Sequence, residues 1–150
     1  MNLRNYTSGS PVDRSVSLIE KKLVESGARH ISKEYDSGML VGITFAICDA
    51  NSKMVPIRLP ANIERCEQLF SAEVKRPRKG TKDKIRQQAE RTAWKLLADW
   101  VDVQCSMIML QQAEPLEIFL PYLFDGNLGQ TFFQALKAGT KFKALPFEER

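Results

Sequence analysis

The stretch MLVGITFAIC, residues 39–48, alternates bulky and smaller side chains, which is the pattern of a β-strand with one buried face. Its bulky apolar positions are Met39, Val41, Ile43, Phe45 and Ile47. Because successive side chains of a strand point to opposite faces, this set can enter a core together. We therefore predict that this strand lies in a sheet around which the rest of the chain is built.

Turn residues on both sides of this strand extend it into a sheet. Residues 36–38, Asp-Ser-Gly, predict a turn that pairs it with a strand over residues 29–35. Residues 49–53 predict a second turn into a third strand, 54–59. Pro56 has no N–H to donate, so the third strand should lie at an edge or contain a bulge. The pattern predicts a three-stranded antiparallel meander.

Helical patterns flank the predicted sheet. Residues 1–12 are polar and are expected to form a flexible lead-in to a helix that ends near Gly27. Its first turn could be capped by Asp13, by Ser15 or by Ser17. After the sheet, Asn62 can cap a short helix that ends at about Glu73.

A long helix is predicted over residues 81–112, where no residue interrupts helix formation. It would span about 45 Å, which is more than the width of a small domain. Part of it should therefore project beyond the core or be covered by a second copy of the chain. Its apolar face is predicted to consist of Ile85, Ala89, Ala93, Leu96, Leu97, Trp100, Met107 and Ile108.

The C-terminal third adds a short apolar segment, 116–124, and a last helix capped by Thr131. Its many aromatic and aliphatic residues should pack on the long helix or on another subunit. The predicted fold class is α+β: an N-terminal helix, a three-stranded antiparallel meander, a long amphipathic helix and a C-terminal helical segment. We expect one domain over residues 13–150, with a basic loop at 75–84.

The composition is that of a globular protein, since 43% of the 150 residues are hydrophobic and 27% are charged. No apolar run approaches the roughly 20 residues needed to cross a bilayer, and the N-terminus has no signal-peptide pattern. The three cysteines, Cys48, Cys66 and Cys105, are widely spaced and are expected to be reduced thiols. We therefore expect a cytoplasmic protein without a membrane partner.

Motifs for catalysis or metal binding are missing from the sequence. His30 is the single histidine, and no cysteine or carboxylate cluster has the spacing of a zinc site. The glycines are scattered, so no phosphate-binding glycine motif occurs. We predict a non-enzymatic protein without a cofactor.

Positive charge is concentrated in residues 75–91, where eight basic and two acidic residues give a net charge of +6. The whole chain carries +4, so the remainder carries −2. Such an asymmetry indicates an anionic partner, and arginine and lysine at a helix start suit phosphate. The predicted nucleic-acid-binding residues are Lys75, Arg76, Arg78, Lys79, Lys82, Lys84, Arg86, Arg91 and Lys95. The alternative is a solvated charged surface without a ligand.

Two tryptophans in the long helix could stack on nucleic-acid bases. Trp100 has the same helical angle as the predicted apolar face and is expected in the core. Trp94 lies at the margin of that face, so it is the candidate for stacking.

The chain also resembles two groups of proteins. It is similar, from Ser15 to about Leu136, to small conserved proteins encoded by phages and prophages, a likeness that implies an origin in a phage and the host cytoplasm as location. The residues that carry it are Ile57 to Asn62, Gln88 to Trp94, Asp99 to Val101 and Leu120 to Tyr122.

The order of a helix, three strands and a lysine-rich helix start resembles the double-stranded-RNA-binding domain. That likeness implies phosphate contacts by Lys79, Lys82 and Lys84. The chain departs from the domain by an extra helix after the third strand and by a first turn without Gly-Pro-x-His.

These observations lead to a non-enzymatic phage accessory protein that binds nucleic acid through its basic segment, mainly by phosphate contacts. The alternative is an anti-defence or host-protein-interaction factor that uses the basic segment on an acidic host protein or sequesters a nucleotide signal. A third possibility is that the segment is only solvated and the long helix is a structural element of a dimer. We expect a homo-oligomer, and specifically a dimer.

Overall fold

The structure is a computed structural model that describes residues 1–139. Its main elements are α1 (Val12–Glu25), β1 (Arg29–Asp36), β2 (Met39–Cys48), β3 (Met54–Pro60), α2 (Ile63–Glu73) and α3 (Thr81–Met109). The C-terminal region contains α4 (Pro115–Phe119), a 3₁₀ turn (Leu120–Tyr122), β4 (Phe124–Asp125), β5 (Gln130–Thr131) and α5 (Phe132–Lys137). The predicted α+β class and the order of its elements are confirmed; residues 140–150 of the predicted domain lie outside the described residues.

The three long strands form an antiparallel sheet in the order β1-β2-β3. Ser37 and Gly38 both have positive φ, as the two central residues of the favoured two-residue hairpin turn require. Pro56 lies on the edge strand β3 and is exposed, which confirms its predicted position. His30 has a φ of 56° and lies at a register shift of β1, where its side chain is exposed.

One face of this sheet enters the core, as the period of two predicted. Ile43, Phe45 and Ile47 are buried on β2, and β3 places Ile57 opposite Phe45 and Leu59 opposite Ile43. The buried residues of α1 are Ser15, Val16, Ile19 and Leu23. Burying these aliphatic and aromatic groups contributes about 1.5–3 kcal/mol for each large side chain and holds the helices on the sheet.

Helix α3 lies between α1 and α2. The end of α1 contacts the second half of α3, because Lys22 Nζ lies 3.2 Å from Asp102 Oδ1 and Cys105 Sγ donates to the Lys22 carbonyl. Helix α2 contacts the first half, where Glu67 pairs with Arg86 at 2.8 Å. The 29-residue α3 is close to the predicted helix and ends at Met109 rather than at Gln112.

The helix caps follow the prediction in part. The Asn62 side chain accepts a hydrogen bond from the Arg65 amide, and Thr131 forms a capping box with Gln134. Helix α1 instead follows Pro11 and has no side-chain cap, so the three predicted capping residues do not cap it.

The first residues of the chain, expected to be a flexible lead-in, lie along α3. Thr92 Oγ1 donates to the Asn5 carbonyl at 3.0 Å, and Gln88 Nε2 donates to the Ser8 carbonyl at 3.0 Å. Leu3 packs against the core. This segment therefore covers part of the first half of α3.

Candidate nucleic-acid interface

The basic loop connects α2 to α3 and has a defined conformation. Gly80 precedes the first residue of α3 with a φ of 83°, a left-handed conformation that glycine adopts without a Cβ clash. The Arg78 amide donates to Thr81 Oγ1 at 2.9 Å, and the Thr81 amide donates back to the Arg78 carbonyl at 3.1 Å. These contacts fix where the basic loop ends and where the basic helix begins.

Six basic side chains at this junction are exposed, and none forms an ion pair with another residue of the described chain. They are Lys75, Arg76, Arg78, Lys79, Lys82 and Lys84. We call these six residues the free basic end. One acidic residue, Asp83, lies between Lys82 and Lys84. It is in the first turn of α3, where the helix dipole favours a negative charge. The free basic end is therefore a concentrated positive surface that an anion can reach.

The other three predicted binding residues have partners within the chain. Arg86 pairs with Glu67, and Lys95 Nζ lies 2.7 Å from Asp99 Oδ1. Arg91 is half-buried and donates to Gln88 Oε1 at 2.6 Å, while its Nε is buried without a hydrogen-bond partner among the described residues. Of Lys84, Arg91 and Lys95, Lys84 alone is both exposed and without an ion pair in the described chain; Arg91 forms no ion pair but is half-buried.

Lys95 is held in an ion pair with Asp99, which has further partners. Its carboxylate also accepts hydrogen bonds from Asn5 Nδ2 at 2.9 Å and from Arg4 Nε at 3.3 Å. Burial raises the pKa of Asp99, but the hydrogen bonds and charges of Lys95, Asn5 and Arg4 outweigh it and hold the pKa below its usual value. Asp99 thus ties the N-terminal segment to α3, and Lys95 is its partner within the helix.

Both tryptophans pack in or against the core, and Trp94, the candidate for stacking, is the more deeply buried of the two. Trp94 is fully buried, and its Nε1 donates to the Leu40 carbonyl at 3.2 Å. Base stacking by Trp94 is therefore contradicted, because its ring faces are covered by the core. Trp100 is half-buried and makes edge contacts with Phe119 and Tyr122 at centroid distances of 5.9 and 5.7 Å.

A groove of about 700 Å³ lies between α2 and α3, on the side of the molecule where Trp100 is accessible. Its walls are mainly apolar, and Leu3, Cys66, Leu69, Leu96 and Tyr122 contribute to them. Burial raises the pKa of the Cys66 thiol, which keeps it protonated and unsuited to nucleophilic attack. The sequence prediction missed this groove, although the spacing of Leu96, Trp100 and Val103 was a signal for it.

Two further findings concern residues 1–139. No group of three or more His, Cys, Asp and Glu side chains is arranged to hold a metal ion in this part of the chain. None of its helices has the length and apolar character required to cross a membrane.

Comparisons with known proteins add no relative. No protein-family model, no curated protein and no solved structure matches this chain.

Proposed function

We propose that this protein binds nucleic acid through the free basic end, without catalysing a reaction, as an accessory protein of a phage in the cytoplasm of its host. The observation that carries the proposal is the set of six exposed, unpaired basic side chains where the Pro/Gly loop enters α3. Clustered cations of this kind raise each other's local potential, and phosphate groups would relieve that repulsion.

Affinity would come from phosphate contacts rather than from base contacts. The arginines at 76 and 78 can each donate two parallel hydrogen bonds to a phosphate, and the lysines add point charges. No tryptophan is available beside the segment for stacking, since Trp94 is buried. We therefore expect little preference for base sequence.

The test is charge reversal at three positions, Arg76→Glu, Arg78→Glu and Lys82→Glu, in one variant. Binding to labelled single- and double-stranded DNA and RNA is measured by fluorescence anisotropy at about 50 mM salt, and we expect affinity to fall about 100-fold or more. The affected side chains are exposed, so the fold should persist, which circular dichroism would verify.

A matched control reverses three exposed basic residues elsewhere: Lys21→Glu, Arg29→Glu and Lys53→Glu. Both triple variants change the net charge equally, so the control separates the position of the charge from its amount. Equal losses in the two variants would contradict the proposal, and so would a wild-type protein that binds none of the four nucleic acids. Capture of an acidic host protein by the free basic end, without nucleic-acid binding, would favour the host-protein alternative.

A further inference from the structure

The second half of α3 carries an apolar stripe on the side opposite its most deeply buried residues, and one member of the stripe, Trp100, packs partly against the core. Leu96, Trp100, Val103, Met107 and Leu110 follow one another at intervals of four, three, four and three residues. This is the spacing of the contact face of a helix that packs against another helix. Val103 is 58% exposed, Leu110 is 72% exposed and Leu96 is 36% exposed.

The core-facing residues of the same helix lie on its opposite side. Trp94, Ala98, Val101 and Cys105 are buried against α1 and the sheet. At about 100° per residue, their mean direction is roughly opposite to that of Val103. The second half of α3 is therefore apolar on two faces. Residues 1–139 bury one of them and cover the other in part, where Trp100 contacts Phe119 and Tyr122.

Helix lengths explain why residues 1–139 leave much of the second face exposed. With 11 residues, α2 is about 16 Å long, whereas α3 has 29 residues and is about 43 Å long. Helix α2 and the N-terminal segment cover the first half of α3, through Glu67 and through the contacts with Thr92 and Gln88. The groove lies beside this cover, between Leu3, Cys66 and Leu69 on one side and Leu96, Trp100 and Val103 of α3 on the other.

The stripe has few charged neighbours on α3 itself. No lysine or arginine occurs between Lys95 and Lys137. Asp99 and Asp102, the two charged residues of α3 within this range, are already paired with Lys95 and Lys22. Gln104 and Ser106 beside the stripe are neutral, so a second apolar helix could pack on α3 without burying an unpaired charge of α3 itself. At the groove, Arg4 pairs with Asp99, and Arg65 is exposed and can keep its charge in solvent.

We propose that a second copy of the chain docks on this stripe, with the two α3 helices antiparallel and crossing at Val103. The stripe is nearly symmetric about Val103, since Leu96 and Leu110 are each seven residues away and Trp100 and Met107 are three and four residues away. Each Leu96 would then face the partner's Leu110, and the exposed end of each α3 would enter the groove of the other copy. Such a self-complementary interface closes with twofold symmetry.

The antiparallel direction follows from charge and size. Parallel helices would place the two free basic ends side by side and would stack Trp100 against its own copy. Antiparallel helices separate the basic ends and place each large Trp100 beside a slender Met107. The pairing rests on the apolar stripe and does not depend on nucleic-acid binding.

The first test is Val103→Glu, measured by light scattering and analytical ultracentrifugation over a range of protein concentrations. We expect the wild type to be a dimer and the variant to dissociate about 100-fold more readily, because each dimer would bury two unpaired carboxylates. Val24→Glu is the matched control, since Val24 is 60% exposed on α1, away from the stripe, and its variant should remain dimeric. A wild type that is monomeric at all concentrations, or a control that dissociates as readily as Val103→Glu, would overturn the proposal.

The second test determines direction with single cysteines in a Cys48→Ser background, since Cys48 is the exposed native thiol among the three. A short bismaleimide should link a mixture of Leu96→Cys and Leu110→Cys chains but should link neither variant efficiently by itself. Efficient linking of Leu96→Cys to itself would indicate parallel helices and would contradict the proposed arrangement.

Discussion

The two halves of α3 belong to one continuous helix but have opposite surface chemistry. Residues 81–95 contain five basic residues, two of which, Lys82 and Lys84, belong to the free basic end. Residues 96–109 contain no basic residue and present apolar side chains on two faces. Charge and apolar surface are thus segregated along the helix axis rather than only around it, which gives each half a different class of proposed partner: phosphate for the first and another α3 for the second.

The largest expected difference between the two halves is in how their proposed interactions depend on salt concentration. If six phosphates of duplex DNA are contacted, raising the salt concentration from 50 to 200 mM should lower the affinity about 1000-fold. The reason is that binding releases counterions from the DNA, and this release is less favourable at high salt. Association through the apolar stripe should change by about threefold or less, since no unpaired charge is buried there. Anisotropy and sedimentation at the same salt concentrations give both values, and a similar steep loss of dimer would contradict the difference between the halves.

Two valines test which face of the second half is buried. Val101 is fully buried and Val103 is 58% exposed, although only one residue separates them. Val101→Ala should lower the free energy of unfolding by about 2 kcal/mol, from lost burial and a small cavity. Val103→Ala should change the free energy of unfolding of the monomer by about 0.5 kcal/mol or less. Urea unfolding of dilute protein measures both, and equal losses would reverse the assignment of the two faces.

A substitution at Asp99, near the junction of the two halves, should have a smaller effect on the free energy of unfolding, and that effect should depend on pH. Because the pKa of Asp99 is lowered in the folded protein, its ionised form contributes stability above the pKa of the unfolded chain. That contribution is lost as pH falls through the folded pKa. Asp99→Asn should therefore lower the free energy of unfolding by about 1 kcal/mol at neutral pH. The difference from the wild type should vanish in acid.

Glu73→Gln is the control for Asp99→Asn, because Glu73 is exposed and forms no ion pair with another residue of 1–139. Urea unfolding of both variants across the acidic range should show a pH-dependent deficit for Asp99→Asn alone. A deficit that stays constant down to strongly acidic pH would mean that the carboxylate charge does not stabilise the fold.

The sheet could be predicted from the sequence because its signals are local. A period of two and a Ser-Gly hairpin turn are contained within a few residues, and both are found in the structure. The free basic end was equally visible, since exposed charge in a loop depends little on tertiary packing. The pairing of Arg86, another predicted binding residue, was not visible in the sequence, because its partner Glu67 belongs to a different helix.

The apolar faces of α3 could not be assigned from spacing alone. Its apolar residues cover two faces, so one helical angle does not decide which of Trp94 and Trp100 is fully buried. That choice depends on α1 and on the Leu40 carbonyl, which receives the indole N–H of Trp94. The prediction that part of the helix would project or be covered by another copy depended on length alone, and the length was nearly correct.

The length of α3 would also set a spacing between nucleic-acid contacts. In an antiparallel dimer that crosses at Val103, the two copies of Lys82 would be about 60 Å apart along the helices. That distance corresponds to the rise of about 18 base pairs of a straight duplex. The dimer would therefore act as a bridge: both ends could reach one duplex of that length or longer, or each could hold a different strand, whereas a shorter duplex would engage one end.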